Sequence, residues 1–165
     1  MKNVGIVGIG DMGSGLAKNL IKNGFSVIGL DLLEHRKLAF EAMGGQLARD
    51  YAEIGRASDA VFVMVMNGTE AKEIILGENG LVASMEKGGA ILLTATIKPT
   101  EAREIGAAMA GSGIDLIDSP VSGGFPGAQG GSLTLMAAAP ADILAKNRRV
   151  MEAVSKTIHH VGSDA

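Results

Sequence analysis

Apolar and polar positions along the chain switch repeatedly between two periods. Residues 4–7 form a short β-rich run, and residues 11–23 follow with Leu16, Leu20 and Ile21 at helical spacing and Gly24 as a stop signal. The alternation continues with a strand over 25–30, a helix over 34–43 ended by Gly44-Gly45, a short strand near 46–48 and a helix over about 49–58. Residues 60–66 are apolar without a break, the mark of a central strand covered on both faces. Helices over 69–76, 100–110 and 141–154 then alternate with strands over 90–93, 115–117, 133–137 and 158–161. Thr100, directly after Pro99, reads as the cap of its helix and Gly111 as its stop. Residues 118–132 read as a glycine-rich loop between two strands.

Strands alternating with helices require parallel pairing through right-handed crossovers. The expected fold is therefore an α/β domain with a doubly wound, mostly parallel sheet, helices on both faces and extra strands at its C-terminal end. At 165 residues the chain suits one domain, and at 47% apolar it has the means to bury a core. No fixed-period repeat or linker-like tract divides it.

Composition then narrows the function. A net charge of −3 offers no nucleic-acid or polybasic membrane surface. The chain has no cysteine, which removes disulfides, thiolate catalysis and zinc–sulfur sites, and no metal site is expected. No apolar run reaches the roughly 20 residues that span a bilayer. Met1-Lys2-Asn3 leads straight into a strand without a signal-peptide layout, so a cytoplasmic location is expected.

The clearest chemistry lies in Gly8-Ile9-Gly10-Asp11-Met12-Gly13, between the first strand and the first helix. Gly8 permits the tight turn out of the strand, Gly10 lets a pyrophosphate approach the backbone, and Gly13 lets the helix pack against the sheet. The helix then points its N–H groups and partial positive charge at the phosphates. Asp31 ends the second strand where a carboxylate would accept from the adenosine ribose hydroxyls, and plain turn glycines do not account for it. Ile9, Met12 and Leu32 neighbour these positions and are counted with the cofactor site. A carboxylate repels a 2′-phosphate, and Arg36, one helical turn into the next element, is not expected to offset it; NAD is favoured over NADP. FAD, which binds a similar strand–turn–helix, is the competing cofactor.

The same glycine motif, followed by Leu16-Ala17-Lys18-Asn19-Leu20, resembles the opening of the β-hydroxyacid dehydrogenases. That family includes 3-hydroxyisobutyrate, tartronate semialdehyde and 6-phosphogluconate enzymes. The resemblance extends to Asp118-Ser119-Pro120-Val121-Ser122-Gly123-Gly124, to Gly127-Ala128 and Gly131-Ser132-Leu133-Thr134, and to the turn Ala95-Thr96-Ile97. It implies a Rossmann domain in which Met66 and Asn67 line the cofactor and Thr96 lies beside the nicotinamide. It also implies that Ser122, Gly123 and Gly124 hold a substrate carboxylate or hydroxyl, as a serine hydroxyl beside exposed backbone donors can. Plainer roles stand beside these: Asn67-Gly68 is a common turn pair, Thr96 could cap a turn, and His159 and His160 read as structural or solvated on an edge strand. Asn67, Leu93 and Ala95 depart from residues common in the family, and this leans the substrate toward the sugar-acid branch that includes L-threonate dehydrogenase.

Hydride transfer from a hydroxy acid also needs a base for the hydroxyl proton. The resemblance assigns that base to a lysine on a long helix of a following all-helical domain, which also carries the dimer contacts. The chain is expected to stop before that helix, to bind NAD and to be inactive by itself. A stand-alone NAD-sensing module is the rival reading, and it has no use for residues 118–124.

Overall fold

The computed structural model describes residues 3–164; Met1, Lys2 and Ala165, with the start and finish discussed above, lie outside them. Chain order is β1 (Asn3–Val7), α1 (Asp11–Lys22), β2 (Ser26–Leu30), α2 (Glu34–Ala42), β3 (Gln46–Leu47) and α3 (Tyr51–Ala57). Next come β4 (Ala60–Val63), α4 (Gly68–Leu76), α5 (Leu81–Ser84), β5 (Ala90–Leu93), α6 (Pro99–Met109) and β6 (Asp115–Asp118). The last part holds β7 (Val121–Ser122), α7 (Gly124–Gly130), β8 (Leu133–Ala138), α8 (Ala141–Glu152) and β9 (Ser155–Gly162).

The sheet runs β3-β2-β1-β4-β5-β6, all parallel, which is the doubly wound order expected of strand–helix alternation. β8 then pairs antiparallel to β6 and β7, and β9 lies parallel to β8. All four residues of β4 and all four of β5 are buried, as a strand between two helical layers must be. Alternation along β4 divides the core. Ala60 and Phe62 join one layer with α1, α7 and α8, while Val61 and Val63 join the other with α3, α4 and α6.

Three expectations are corrected, and one element is added. The strand over 60–66 ends at Val63. Met64 still donates to Val7 O at 2.9 Å, but β1 stops there and turns at Gly8, so no neighbour remains for Val65 or Met66. Met66 is 86% exposed. The helix expected from Thr100 begins at Pro99, whose missing N–H costs nothing in a first turn, with Lys98 as the flanking residue. Glu101 closes that end by accepting from the Lys98 N–H at 3.0 Å. The glycine-rich stretch 118–132 contains a strand, β7, and a helix, α7, that local propensity disfavours and packing against α1 imposes. Finally, α5 had no counterpart in the hydrophobic pattern, being a single turn packed between α3 and α4.

Candidate functional site

In a parallel sheet every strand ends on the same edge, so the segments leaving β1, β2, β4, β5 and β6 converge there. Gly8, Ile9 and Gly10 leave β1, Asp31 and Leu32 leave β2, Met66 and Asn67 leave β4, and Thr96 leaves β5. Ser122, Gly123 and Gly124 follow β6 through the short strand β7. The predicted residues therefore share one edge of the molecule, although they come from five separate stretches of chain.

At the first turn, Gly8 has φ +91° and its N–H donates to Leu30 O at 3.1 Å, tying β1 to β2 at the turn. A Cβ at Gly8 would overlap the carbonyl oxygen of Met64, and one at Gly13 would overlap the carbonyl oxygen of Gly8. Turn, strand end and helix start are thus in backbone contact. α1 begins after Gly10 with no side-chain cap, whereas α3 and α4 are capped by Asp50 and Asn67. An uncapped helix start preceded by a glycine is what a phosphate needs in order to reach the first N–H groups, and the side chain nearest to Gly10 is the cationic Arg36, its Nη1 3.4 Å from a notional Cβ there. The residues present fit a dinucleotide at this turn.

Asp31 is 9% exposed and held from two sides. Its Oδ2 accepts from the Ile9 N–H at 2.8 Å and its Oδ1 from the Leu33 N–H at 2.9 Å. The carboxylate is therefore fixed beside the glycine turn with remaining lone pairs for ribose hydroxyls. Leu32, 87% exposed, stands on one side of this region. Arg36 departs from expectation: it does not lie clear of Asp31 but reaches it, with Nη1 3.5 Å from Oδ2. The reason is directional, since helical side chains lean toward the N-terminus and Arg36 is in the first turn of α2.

Asn67 is the cap of α4: its Oδ1 accepts from the Glu70 N–H at 2.9 Å, while Glu70 accepts from the Met66 N–H at 3.1 Å. Asn67 is thus a helix cap and not the simple turn pair weighed for Asn67-Gly68, and Glu70 holds the backbone of exposed Met66 at the site edge. Thr96 is exposed on a turn secured by its buried neighbour Thr94, whose N–H and hydroxyl both donate to Val63 O, at 3.1 and 3.0 Å. Ser122 is exposed, and Gly123 and Gly124, at φ +128° and +57°, turn the chain from β7 into α7. Asp118, at the end of β6, has its carboxyl pushed above the ordinary aspartate range by burial.

What joins the two glycine segments is Asn19. Its Nδ2 donates to Gly15 O and Ala128 O, each at 2.8 Å, and to Gln129 O at 3.2 Å. Gln129 reaches back to the Ser14 hydroxyl at 3.4 Å. Helix α7, which begins at Gly124, is thereby locked onto α1, which begins after Gly10.

Comparison with known proteins then identifies the relationship. The NAD binding domain of 6-phosphogluconate dehydrogenase, as a family, matches residues 3–162. The chain belongs to that family. It is 32% identical to an L-threonate dehydrogenase of Cupriavidus necator over 98% of this chain and 54% of that protein. It is 35% identical to an NAD-dependent L-serine dehydrogenase of Pseudomonas aeruginosa over 99% of this chain and 55% of that protein. The solved 3-hydroxyisobutyrate dehydrogenase of Salmonella typhimurium superposes with a TM-score of 0.93 at 29% identity, covering 99% of this chain and 57% of that one. The chain therefore spans about half the length of the curated relatives it matches, and its cofactor is NAD.

Sequence reasoning passed over three residues that build this site. Arg36 was set aside on spacing alone. Asn19 was visible only as part of a family pattern, since nothing local reveals partners more than a hundred positions away. Thr94 adjoins the Thr96 turn and differs from it only in being buried, which spacing does not reveal.

Proposed function

We propose that these residues form the NAD-binding half of a dehydrogenase that oxidises the hydroxyl of a small 3-hydroxy acid such as L-threonate, L-serine or 3-hydroxyisobutyrate. The observation that carries this reading is the Asn19 lock, which fixes the Ser122-Gly123-Gly124 turn relative to the dinucleotide turn. A module that only sensed NAD would have no use for that rigid connection. NAD supplies the hydride acceptor. Gly8 to Gly13 and the start of α1 take the pyrophosphate, Asp31 and Leu32 the adenosine, and Met66, Asn67 and Thr96 the path toward the nicotinamide. Ser122 with the backbone at Gly123 and Gly124 orients the substrate carboxylate or hydroxyl. A cytoplasmic setting goes with this reading, in which no membrane or nucleic acid takes part.

The hydroxyl proton must leave to a base. Lys37, Lys72 and Lys146 are occupied by Glu34, Glu104 and Asp115 respectively. We assign the base to a lysine in the half of the relatives that this chain does not match, on an all-helical domain that also forms the contacts of a homo-oligomer. Residues 1–165 alone then bind NAD and do not turn over substrate.

The test is a titration with NADH followed by the cofactor's own fluorescence, in a chain with no tryptophan to interfere. Saturable NADH binding is expected, with no NADH formed from NAD and the three hydroxy acids. Addition of the helical half as a separate chain is expected to restore turnover. Turnover by residues 1–165 alone, or binding without restored turnover, would overturn the assignment of labour between the halves.

A further inference from the structure

The chain has no cysteine, so its nine methionines are its only sulfur. Most of those among the described residues are shielded. Met85, Met109 and Met151 are buried in the core, Met12, Met43 and Met64 pack against it, and Met136 on β8 is half-buried. Met66 is the exception, 86% exposed. Packing does not account for an apolar side chain left in water, yet its backbone is anchored. The Met66 N–H donates to Glu70 Oε2 at 3.1 Å, and Asn67 beside it caps α4 through the Glu70 N–H. The segment leaves β4, which lies between β1 and β5. On one side the Met64 carbonyl abuts Gly8, and on the other the Thr94 hydroxyl is tied to Val63 O. The Met66 thioether therefore leaves the sheet between the glycine turn and the Thr96 turn, open to solvent.

We infer that Met66 is a modification site: hydrogen peroxide or another hydroperoxide oxidises its thioether to the sulfoxide in the cofactor-free protein, and the sulfoxide weakens NAD binding. This rests on the placement of Met66 along the cofactor path proposed above. In the step a sulfur lone pair attacks one oxygen of hydrogen peroxide, an S–O bond forms and the O–O bond breaks. Sulfur loses two electrons, the peroxide gains them, and the second oxygen leaves as water with both protons. The oxidant must reach sulfur from solvent, and Met66 is the methionine that offers it. The product exchanges a flexible apolar end for a polar, chiral one, so apolar contact with a bound dinucleotide is lost. Bound NAD in turn covers the sulfur, so occupancy protects the site. Methionine sulfoxide reductases reverse the change.

The experiment treats the purified chain with hydrogen peroxide, with and without saturating NAD, and then removes the oxidant. Peptide mass spectrometry locates the sulfoxide, and cofactor fluorescence gives NADH affinity. Met66 sulfoxide is expected before that of Met12 or Met64, with NADH affinity falling about fivefold in step with it. NAD present during treatment should slow oxidation of Met66 but not of Met43, at the far end of α2. Methionine sulfoxide reductases should restore the affinity. Met66→Leu, compared with itself before and after peroxide, should show no loss. Met66→Gln, with a permanently polar end, should bind NADH about as weakly as the oxidised parent. A loss that follows the sulfoxide of Met12 or Met64, or that persists in the Leu variant, would overturn the inference. So would oxidation of Met66 with affinity unchanged, or oxidation equally fast with NAD bound. Failure of the untreated chain to bind NADH would instead remove the dinucleotide reading itself, and the inference with it.

Discussion

The two glycine turns of the site use the same residue for opposite reasons. Gly13 lies in ordinary helix, outside the positive-φ glycines, and is constrained only by space: any Cβ there meets the Gly8 carbonyl oxygen. Gly124 has open space around it, its nearest neighbour a Pro126 carbon 3.9 Å from a notional Cβ, and is constrained only by its backbone, at φ +57°. Gly8 combines both demands. The first turn is thus a packed junction in which strand end, turn and helix touch through their backbones. The second is open at Gly124, though a Cβ at Gly123 would lie 3.2 Å from a Leu133 carbon, and it leaves Ser122 exposed. Under the function proposed above, the first turn would serve close backbone approach of the cofactor and the second access of the substrate.

The contrast can be broken at four places. Gly13→Ala has the largest expected effect, because neither the helix nor the Gly8 carbonyl can yield without moving β1. A loss of about 3 kcal/mol in urea unfolding is expected, with NADH affinity falling more than tenfold. Asn19→Ala comes next. It withdraws donors from Gly15, Ala128 and Gln129 and should cost about 2 kcal/mol. Faster hydrogen exchange should appear in α7 but not in β4 or β5; uniform exchange across the domain would mean that Asn19 does not specifically lock the second turn to the first.

Gly124→Ala should cost about 1 kcal/mol, the penalty for a side chain in left-handed backbone, and leave NADH binding intact. A cost as large as that at Gly13 would erase the distinction between the two turns. The smallest effect is expected for Asp118→Asn. Burial raises the carboxyl of Asp118, so the folded protein holds that proton to higher pH than the unfolded chain does. This group's contribution therefore falls as pH rises from the ordinary aspartate range through the raised value. The Asn variant should be slightly more stable than its parent at neutral pH, with the advantage gone in acid. Denaturant unfolding at several pH values measures it, and a less stable variant at neutral pH would show that the ionised carboxylate is favourably engaged.

Much of the parallel sheet was legible because its strands and helices state their own periods. The unbroken apolar run at 60–66 located the central strand, and the residues after each strand were recognisable as site candidates once parallel pairing was inferred. Its end was not legible: Met64, Val65 and Met66 are as apolar as Val63, and only the turn of neighbouring β1 at Gly8 ends the pairing. The second glycine turn was less legible than the first. Glycine and proline argue against a helix over Gly124–Gly130, yet Asn19 and the face of α1 hold one there. Likewise, the distance from Asp31 to Arg36 along the chain suggested separation, whereas side-chain direction in α2 brings them to 3.5 Å.

Strand–helix alternation and the spacing of Gly8, Gly10, Gly13 and Asp31 are local properties, set by backbone geometry over a few residues. These the sequence determined by itself: the doubly wound fold, the edge that gathers the candidate site residues and the glycine turn between β1 and α1. The joining of α7 to α1 by Asn19, the early end of β4 and the placement of Arg36 against Asp31 were decided only by the tertiary structure. Each depends on which surfaces meet when distant segments pack, and no local period or spacing encodes that meeting.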